Sequence, residues 1–142
     1  MNNEQIANLR GKAEQGDAKA QYSLGELFDT GKDVPQDFMM ARAWYEKAAV
    51  QGHAAAQTGL GTLYFSGRGV QQDYAEAAKW FRLGAVQGHA GAQSYLGLLN
   101  RGGLGVPSDY AEAAKWFRLA AAQGHAIAQS GLGALYFHGQ GV

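Results

Sequence analysis

One stretch of 36 residues organises the chain. Gly52 to Gln87, GHAAAQTGLGTLYFSGRGVQQDYAEAAKWFRLGAVQ, returns in register as Gly88 to Gln123. It occurs in altered form 36 residues earlier, and its first half opens again at Gly124. No insertion breaks the register. Asp17, His53, His89 and His125 are equivalent, as are Gly25, Gly61, Gly97 and Gly133, and Trp44, Trp80 and Trp116. Repetition at a fixed period of this size is the signature of a solenoid, whose units stack because none can bury its apolar face alone. The copies also serve as a comparison inside one chain. Positions that recur serve the repeat, and positions that differ are free of it.

Each repeat reads as two helices. In the first, here called A, Ala20, Leu24, Leu27 and Phe28 recur at helical spacing, as do Ala56, Leu60, Leu63 and Tyr64. Asp17 and His53 stand where an N-cap or first-turn residue belongs. Gly25, Gly61, Gly97 and Gly133 fall inside the A helices, where glycine costs about 1 kcal/mol against alanine. Their return at one position predicts close approach of a neighbouring helix. Gly31, Gly67 and Gly103 suit left-handed C-caps, and Pro35 and Pro107 prevent continuation. The second helices, B, begin at Asp37, Asp73 and Asp109. Asp73 with Glu76, and Asp109 with Glu112, match a capping box; Met40 breaks it in the first copy. Phe38, Ala41, Trp44, Tyr45, Ala48 and Ala49 form the apolar stripe of the first B helix. Residues 3–15 are in register with a B helix but polar, with only Ile6, Leu9 and Ala13 as a stripe, which suits a capping element. The expected organisation is a single domain over 1–142. It has a capping half-repeat at 1–16, full repeats at 17–52, 53–88 and 89–124, and a half-repeat at 125–142.

Ala54-Ala55-Ala56-Gln57-Thr58-Gly59-Leu60-Gly61-Thr62-Leu63-Tyr64 and the run from Asp73 to Ala85 carry a resemblance to the Sel1-like repeat, a relative of the tetratricopeptide repeat. The likeness extends from about Asp17 to Val142. It implies an all-α fold, a right-handed α-solenoid of antiparallel helix pairs. It also implies a role in protein–protein contact, often in bacteria, with the A helices lining the concave surface. β-Lactamase activity has been attributed to cysteine-rich relatives that pair cysteines within each repeat. This chain has no cysteine and departs from that subgroup.

Composition narrows the function further. Twelve basic and twelve acidic residues cancel, which argues against a phosphate-tracking nucleic-acid binder. Without cysteine there is neither a disulfide framework nor a thiolate metal site. No run approaches a membrane span, so no membrane insertion is expected. The N-terminus lacks the basic and apolar parts of a signal peptide, which gives a cytoplasmic expectation, with the periplasm or secretion open to a chain whose leader was removed. The equivalent histidines would lie one helix spacing apart, about 8–10 Å, too far to share one ion, and read as helix starts. His138 stands alone near the end and reads as solvent-facing. The glycines around Arg68 and Leu104 follow helices rather than strands, so they read as turns and not phosphate loops. No nucleophile with a nearby base is evident. No catalytic residue, metal or cofactor is expected.

The copies disagree at positions 19, 22, 23, 26, 29 and 30 of the A helices and their equivalents. At 100° per residue these fall on one stripe, about a third of the helix circumference, opposite the recurring residues. That stripe is the expected partner-binding face. It carries Lys19, Tyr22, Glu26 and Asp29 in the first copy and Thr62 and Phe65 in the second. Tyr95, Leu98 and Arg101 follow in the third, and Ile127 and Phe137 in the fourth. Ser23, Thr58, Ser94 and Ser130 lie on the same stripe. Large apolar residues on a face that packing does not require suggest a bound peptide or protein segment. Mutual packing of those residues is the competing reading. The preferred function is thus a non-catalytic protein-binding scaffold; the alternative is a small-substrate hydrolase of the β-lactamase-like kind. The fourth A helix has no B helix after it, so its packing side, with Leu132, Leu135 and Tyr136, is open. Two expectations follow: a homo-oligomer through that face, two-fold or head to tail through Asn3 to Gln15, or a fragment of a longer array.

Overall fold

The computed structural model describes residues 1–142 and contains eight helices and no strand. They are α1 (Asn3–Glu14), α2 (Ala18–Thr30), α3 (Phe38–Ala49), α4 (Ala54–Ser66), α5 (Tyr74–Val86), α6 (Ala90–Gly102), α7 (Tyr110–Ala122) and α8 (Ala126–His138). α2, α4, α6 and α8 are the A helices; α3, α5 and α7 are the B helices. The chain forms two compact units, Met1–Gln72 and Asp73–Val142. In the first, α1 packs on α2, α2 on α3, and α3 on α4; in the second, α5 packs on α6, α6 on α7, and α7 on α8. The result is an α-solenoid fold class of antiparallel helix pairs in 36-residue repeats.

The helix ends follow from the expected residues, with two corrections. Asp17 Oδ1 accepts the Ala20 amide at 2.9 Å, and His53 and His89 do the same through Nδ1 for Ala56 and Ala92, each at 3.2 Å. His125 makes no cap bond. The A helices close on left-handed glycines, Gly31 at φ 71° among them. Asp73 and Asp109 accept the amides of Glu76 and Glu112 at 3.0 Å, but those glutamates do not return the bond. Glu112 instead accepts from Trp116 Nε1 at 3.0 Å, and Glu76 lies 3.6 Å from Lys79. A reciprocal capping box occurs instead at α1, between Asn2 and Gln5.

The core of each unit is an aromatic ring wedged between glycines. A Cβ on Gly25 would lie 2.6 Å from Tyr45 Cδ1, and one on Gly59 would lie 3.0 Å from the opposite ring edge. In the second unit Phe117 is held in the same way, by Gly97 at 2.6 Å and Gly131 at 2.8 Å. The expected close approach is therefore present at Gly25 and Gly97. It fails at Gly133, where a Cβ would meet nothing within 4 Å. Gly59 and Gly131 play the same part on the following helix. Recurrence does not mark them, because their register position also holds Ser23 and Tyr95. Phe117 and Leu135 are fully buried, and burial of one such side chain contributes about 1.5–3 kcal/mol.

The recurring glutamine of the A helices has a structural role. Gln21, Gln57 and Gln93 are buried and donate through Nε2 to the carbonyls of Ala13, Ala49 and Ala85 near the end of the preceding helix. Each of those carbonyls also accepts a backbone amide, from Gly16, Gly52 and Gly88 at 3.1, 2.9 and 3.0 Å, so the glutamine fills a second lone pair at the helix C-terminus. Gln51 and Gln123 brace the same site by donating to Gln21 and Gln93 Oε1 at 2.8 and 3.1 Å. The second glycine of each turn also docks. A Cβ on Gly69 would fall 2.5 Å from the Phe38 carbonyl oxygen, and Gly105 sits as closely on Tyr74. The first copy has Asp33 there, at φ 63°, and its carboxylate pairs with the Met1 ammonium at 2.6 Å.

Candidate functional site

The variable stripe splits by unit. In the first unit, Lys19 and Glu26 on α2 are exposed, while Tyr22, Asp29, Thr62 and Phe65 are half-buried. Tyr22 stacks on Tyr45 with ring centroids 5.8 Å apart, and on His53 at 5.0 Å. Tyr45 donates its hydroxyl to Asp29 Oδ2 at 2.9 Å. Burial, then a hydrogen bond and charge from Glu26, push the Tyr22 phenol up to about 12. Burial and the Asp29 carboxylate raise Tyr45 as well. Burial holds the His53 imidazole below its ordinary value. It is neutral, accepts at Nδ1 and therefore carries its proton on Nε2. The outcome is a hydrogen-bonded aromatic cluster edged by two carboxylates. Thr62 donates back to the Gly59 carbonyl at 2.6 Å.

In the second unit the stripe is apolar and cationic. Ile127 and Phe137 are 52% and 85% exposed, the latter the most exposed large apolar side chain of the protein. Tyr95 lies parallel to Phe81, with centroids 4.7 Å apart. Where Gly59 and Gly131 admit a ring against the backbone, Tyr95 meets it ring to ring. Leu98 packs against the cluster of Ala113, Phe117 and Leu135. The Arg101 guanidinium is 6.0 Å from the Phe117 ring centroid, a distance at which a cation–π attraction operates.

All eleven expected site residues keep some exposure, and the structure assembles them in two groups. Lys19, Tyr22, Glu26, Asp29, Thr62 and Phe65 belong to the first unit. Tyr95, Leu98, Arg101, Ile127 and Phe137 belong to the second. Two other residues of the stripe, Thr58 and Ser94, are buried. Thr58 donates to the Ala54 carbonyl at 3.0 Å. Ser94 Oγ lies 2.7 Å from His125 Nδ1, a pairing that sequence spacing did not reveal. Ser94 is 2% exposed, so a substrate cannot reach its hydroxyl. The contact belongs to helix packing, at the register position where Tyr22 meets His53. No group of three or more His, Cys, Asp or Glu side chains converges. No helix is long and apolar enough to cross a membrane.

Paired helices of 12 or 13 residues, each unit keyed by a ring on glycine, define an all-α repeat protein. The chain belongs to the Sel1 repeat family, whose repeat matches residues 18–53, 54–89, 90–125 and 126–142. Proteins of this family generally mediate protein–protein interaction and are generally non-catalytic. Among solved structures the chain is similar to a protective antigen present in uropathogenic Escherichia coli strains that displays an SLR fold, with 44% identity and a TM-score of 0.91. That match covers 96% of this chain and 29% of the antigen. A Sel1 repeat protein from Oxalobacter formigenes is 35% identical with a TM-score of 0.83, over 99% of this chain and 63% of that one. The chain thus spans less than two thirds of either protein. Cysteine rich protein B of Helicobacter pylori shares the fold at 24% identity and a TM-score of 0.68, over 88% of this chain and 95% of that one. No curated protein matches the chain.

Proposed function

We propose that the protein is a non-catalytic scaffold that holds a peptide or protein segment on the variable faces of its A helices. The observation that carries this reading is the division of labour on those helices. Recurring residues such as Leu24, Leu60 and Leu96 are at most 1% exposed, whereas all eleven variable residues named above retain surface. Exposed side chains that the repeat does not need are the ones free to serve a partner.

The chemistry of the two faces favours different parts of such a partner. Glu26 and Asp29 beside Tyr22 suit a lysine or arginine, whose charge meets the carboxylates while its stem lies on the ring. Leu98, Ile127 and Phe137 with Arg101 suit apolar side chains and a carboxylate. The hydrolase reading draws no support from the Ser94–His125 pair, because its hydroxyl is buried.

Capture from the native lysate on immobilised protein tests the proposal, with a Glu26→Lys, Asp29→Lys variant for the first face and an Arg101→Glu, Ile127→Ser variant for the second. A partner retained by the native chain and lost from a variant with unchanged melting temperature supports the reading. A partner that both variants retain places binding elsewhere.

A further inference from the structure

We propose that the cavity between α6, α7 and α8 binds a phosphate monoester, borne as a phosphorylated side chain by the partner segment; this rests on the scaffold reading above. The cavity has a volume of about 430 Å³ and is lined by Arg101, Tyr110, Ala134, His138 and Gln140. Arg101 comes from the last turn of α6 and Tyr110 from the start of α7. Ala134 and His138 come from α8, and Gln140 from the turn after it. The cavity thus lies inside the second unit, where α6 packs on both α7 and α8. Its four polar side chains, a guanidinium, a phenol, an imidazole and a carboxamide, can all donate. None of the four makes a side-chain hydrogen bond or ion pair within the protein. Arg101 lies over the Phe117 ring and meets no carboxylate. The nearby acids are engaged elsewhere. Asp109 accepts the Glu112 amide, and Glu112 accepts from Trp116 Nε1.

The repeat does not require this arrangement. The register position of Arg101 holds Asp29 and Phe65 in the earlier copies, and that of His138 holds Thr30, Ser66 and Gly102. The position of Ala134 holds Glu26, Thr62 and Leu98, all larger. Alanine there leaves the room that the cavity occupies. At the matching place in the first unit, Asp29 stands for Arg101 and accepts the Tyr45 hydroxyl. Its charge repels an anion, and Arg68 there lies over the Phe38 ring, 5.4 Å from its centroid. The donor-lined cavity is therefore particular to the second unit.

The donor set selects phosphate over carboxylate. A phosphate monoester brings close to two negative charges and three strong acceptor oxygens. Four donor groups set on three helices and a turn can surround such a group. A carboxylate has two oxygens in one plane, which the Arg101 fork alone can satisfy. Phe137, next to His138, is exposed and offers an apolar surface to the residues that flank the phosphorylated one.

The probes are N-acetyl phosphoserine methylamide and phenyl phosphate, titrated against the protein and followed by NMR. At least one should shift the Arg101 Nε–H resonance and the amides of residues 134–140 saturably, and bind more tightly than N-acetyl glutamate methylamide. Arg101→Gln should weaken that binding by about tenfold or more. Ala134→Leu, which removes no donor, should abolish it by filling the cavity, and the register already accepts Leu98. Arg118→Gln should leave it unchanged, because that guanidinium lies on Tyr136 outside the cavity. No saturable shift from either probe, an equal loss in Arg118→Gln, or equal binding of the glutamate compound would overturn the proposal. Phosphatase treatment of the lysate should abolish capture of the partner; capture that survives it would also overturn the proposal. If the probes bind and no partner is captured, the scaffold reading falls and the phosphate site stands. If a partner is captured and the probes fail, the site falls and the scaffold reading stands.

Discussion

α1 packs on α2, and α8 packs on α7 and less extensively on α6; the two helices differ in what they leave uncovered. α1 has the register of a B helix, yet exposes Gln5, Asn8 and Lys12 where α3 buries Ala41, Trp44 and Ala48. α8 has the register of an A helix and leaves its glycine seat empty, with Tyr136 and Phe137 exposed. Polar residues at a few packing positions make the outer face of α1 polar without changing the helix. A surface without such residues still offers the apolar seat used inside the array.

The comparison can be broken first at the rings. Phe117→Ala should cost about 3–5 kcal/mol, because two glycines leave no side chain to fill the cavity. Leu9 occupies the same register position on α1 but is half-buried, so Leu9→Ala should cost less than about 2 kcal/mol. Equal losses in urea unfolding would mean that α1 is keyed as deeply as an interior helix. The glutamines give a smaller contrast. Gln93→Leu removes the buried bonds to the Ala85 carbonyl and from Gln123, while the Gly88 amide still reaches that carbonyl, and should cost about 1–2 kcal/mol. Gln129 on α8 is exposed, and Gln129→Leu should be close to neutral by the same measurement.

The N-terminal cap sharpens the contrast further. Asn2→Ala removes one side of the capping box and should cost about 1 kcal/mol, seen as faster amide exchange confined to α1. The smallest effect concerns pH. The His53 value is lowered on folding, so the unfolded chain takes up a proton first. Stability should begin to fall as pH drops below about 6.5 and go on falling through the lower folded value. His53→Asp keeps an acceptor at the cap, as Asp17 does, and should flatten that acid limb in thermal melts across a pH series.

Much of the fold was legible because the chain repeats itself. Recurrence marked the helix pairs, the left-handed caps at Gly31, Gly67 and Gly103, and the glycines that approach a neighbour. It could not say which neighbour touches a given glycine, so the empty seat at Gly133 was hidden behind its equivalents. Nor could it show that Glu112 turns to Trp116 rather than to the cap, since both lie within one turn. On the variable face the residues were legible as free of the repeat. Their contacts were not: Tyr95 stacks on Phe81 and Ser94 meets His125, because a long or polar side chain at a free position still finds the nearest ring or acceptor. Thr58 and Ser94 were placed on the stripe by angle alone, and small side chains there sink below the surface.

The account rests on rings seated on glycine, filled inside each unit and open on α8. Melting Gly97→Leu beside Gly133→Leu tests it most directly. Gly97→Leu should lose about 1–3 kcal/mol or more through overpacking against Phe117. Gly133→Leu should melt no lower than the native protein, and gain up to about 1 kcal/mol from better helix propensity. Equal destabilisation of the two, or none in Gly97→Leu, would contradict the account.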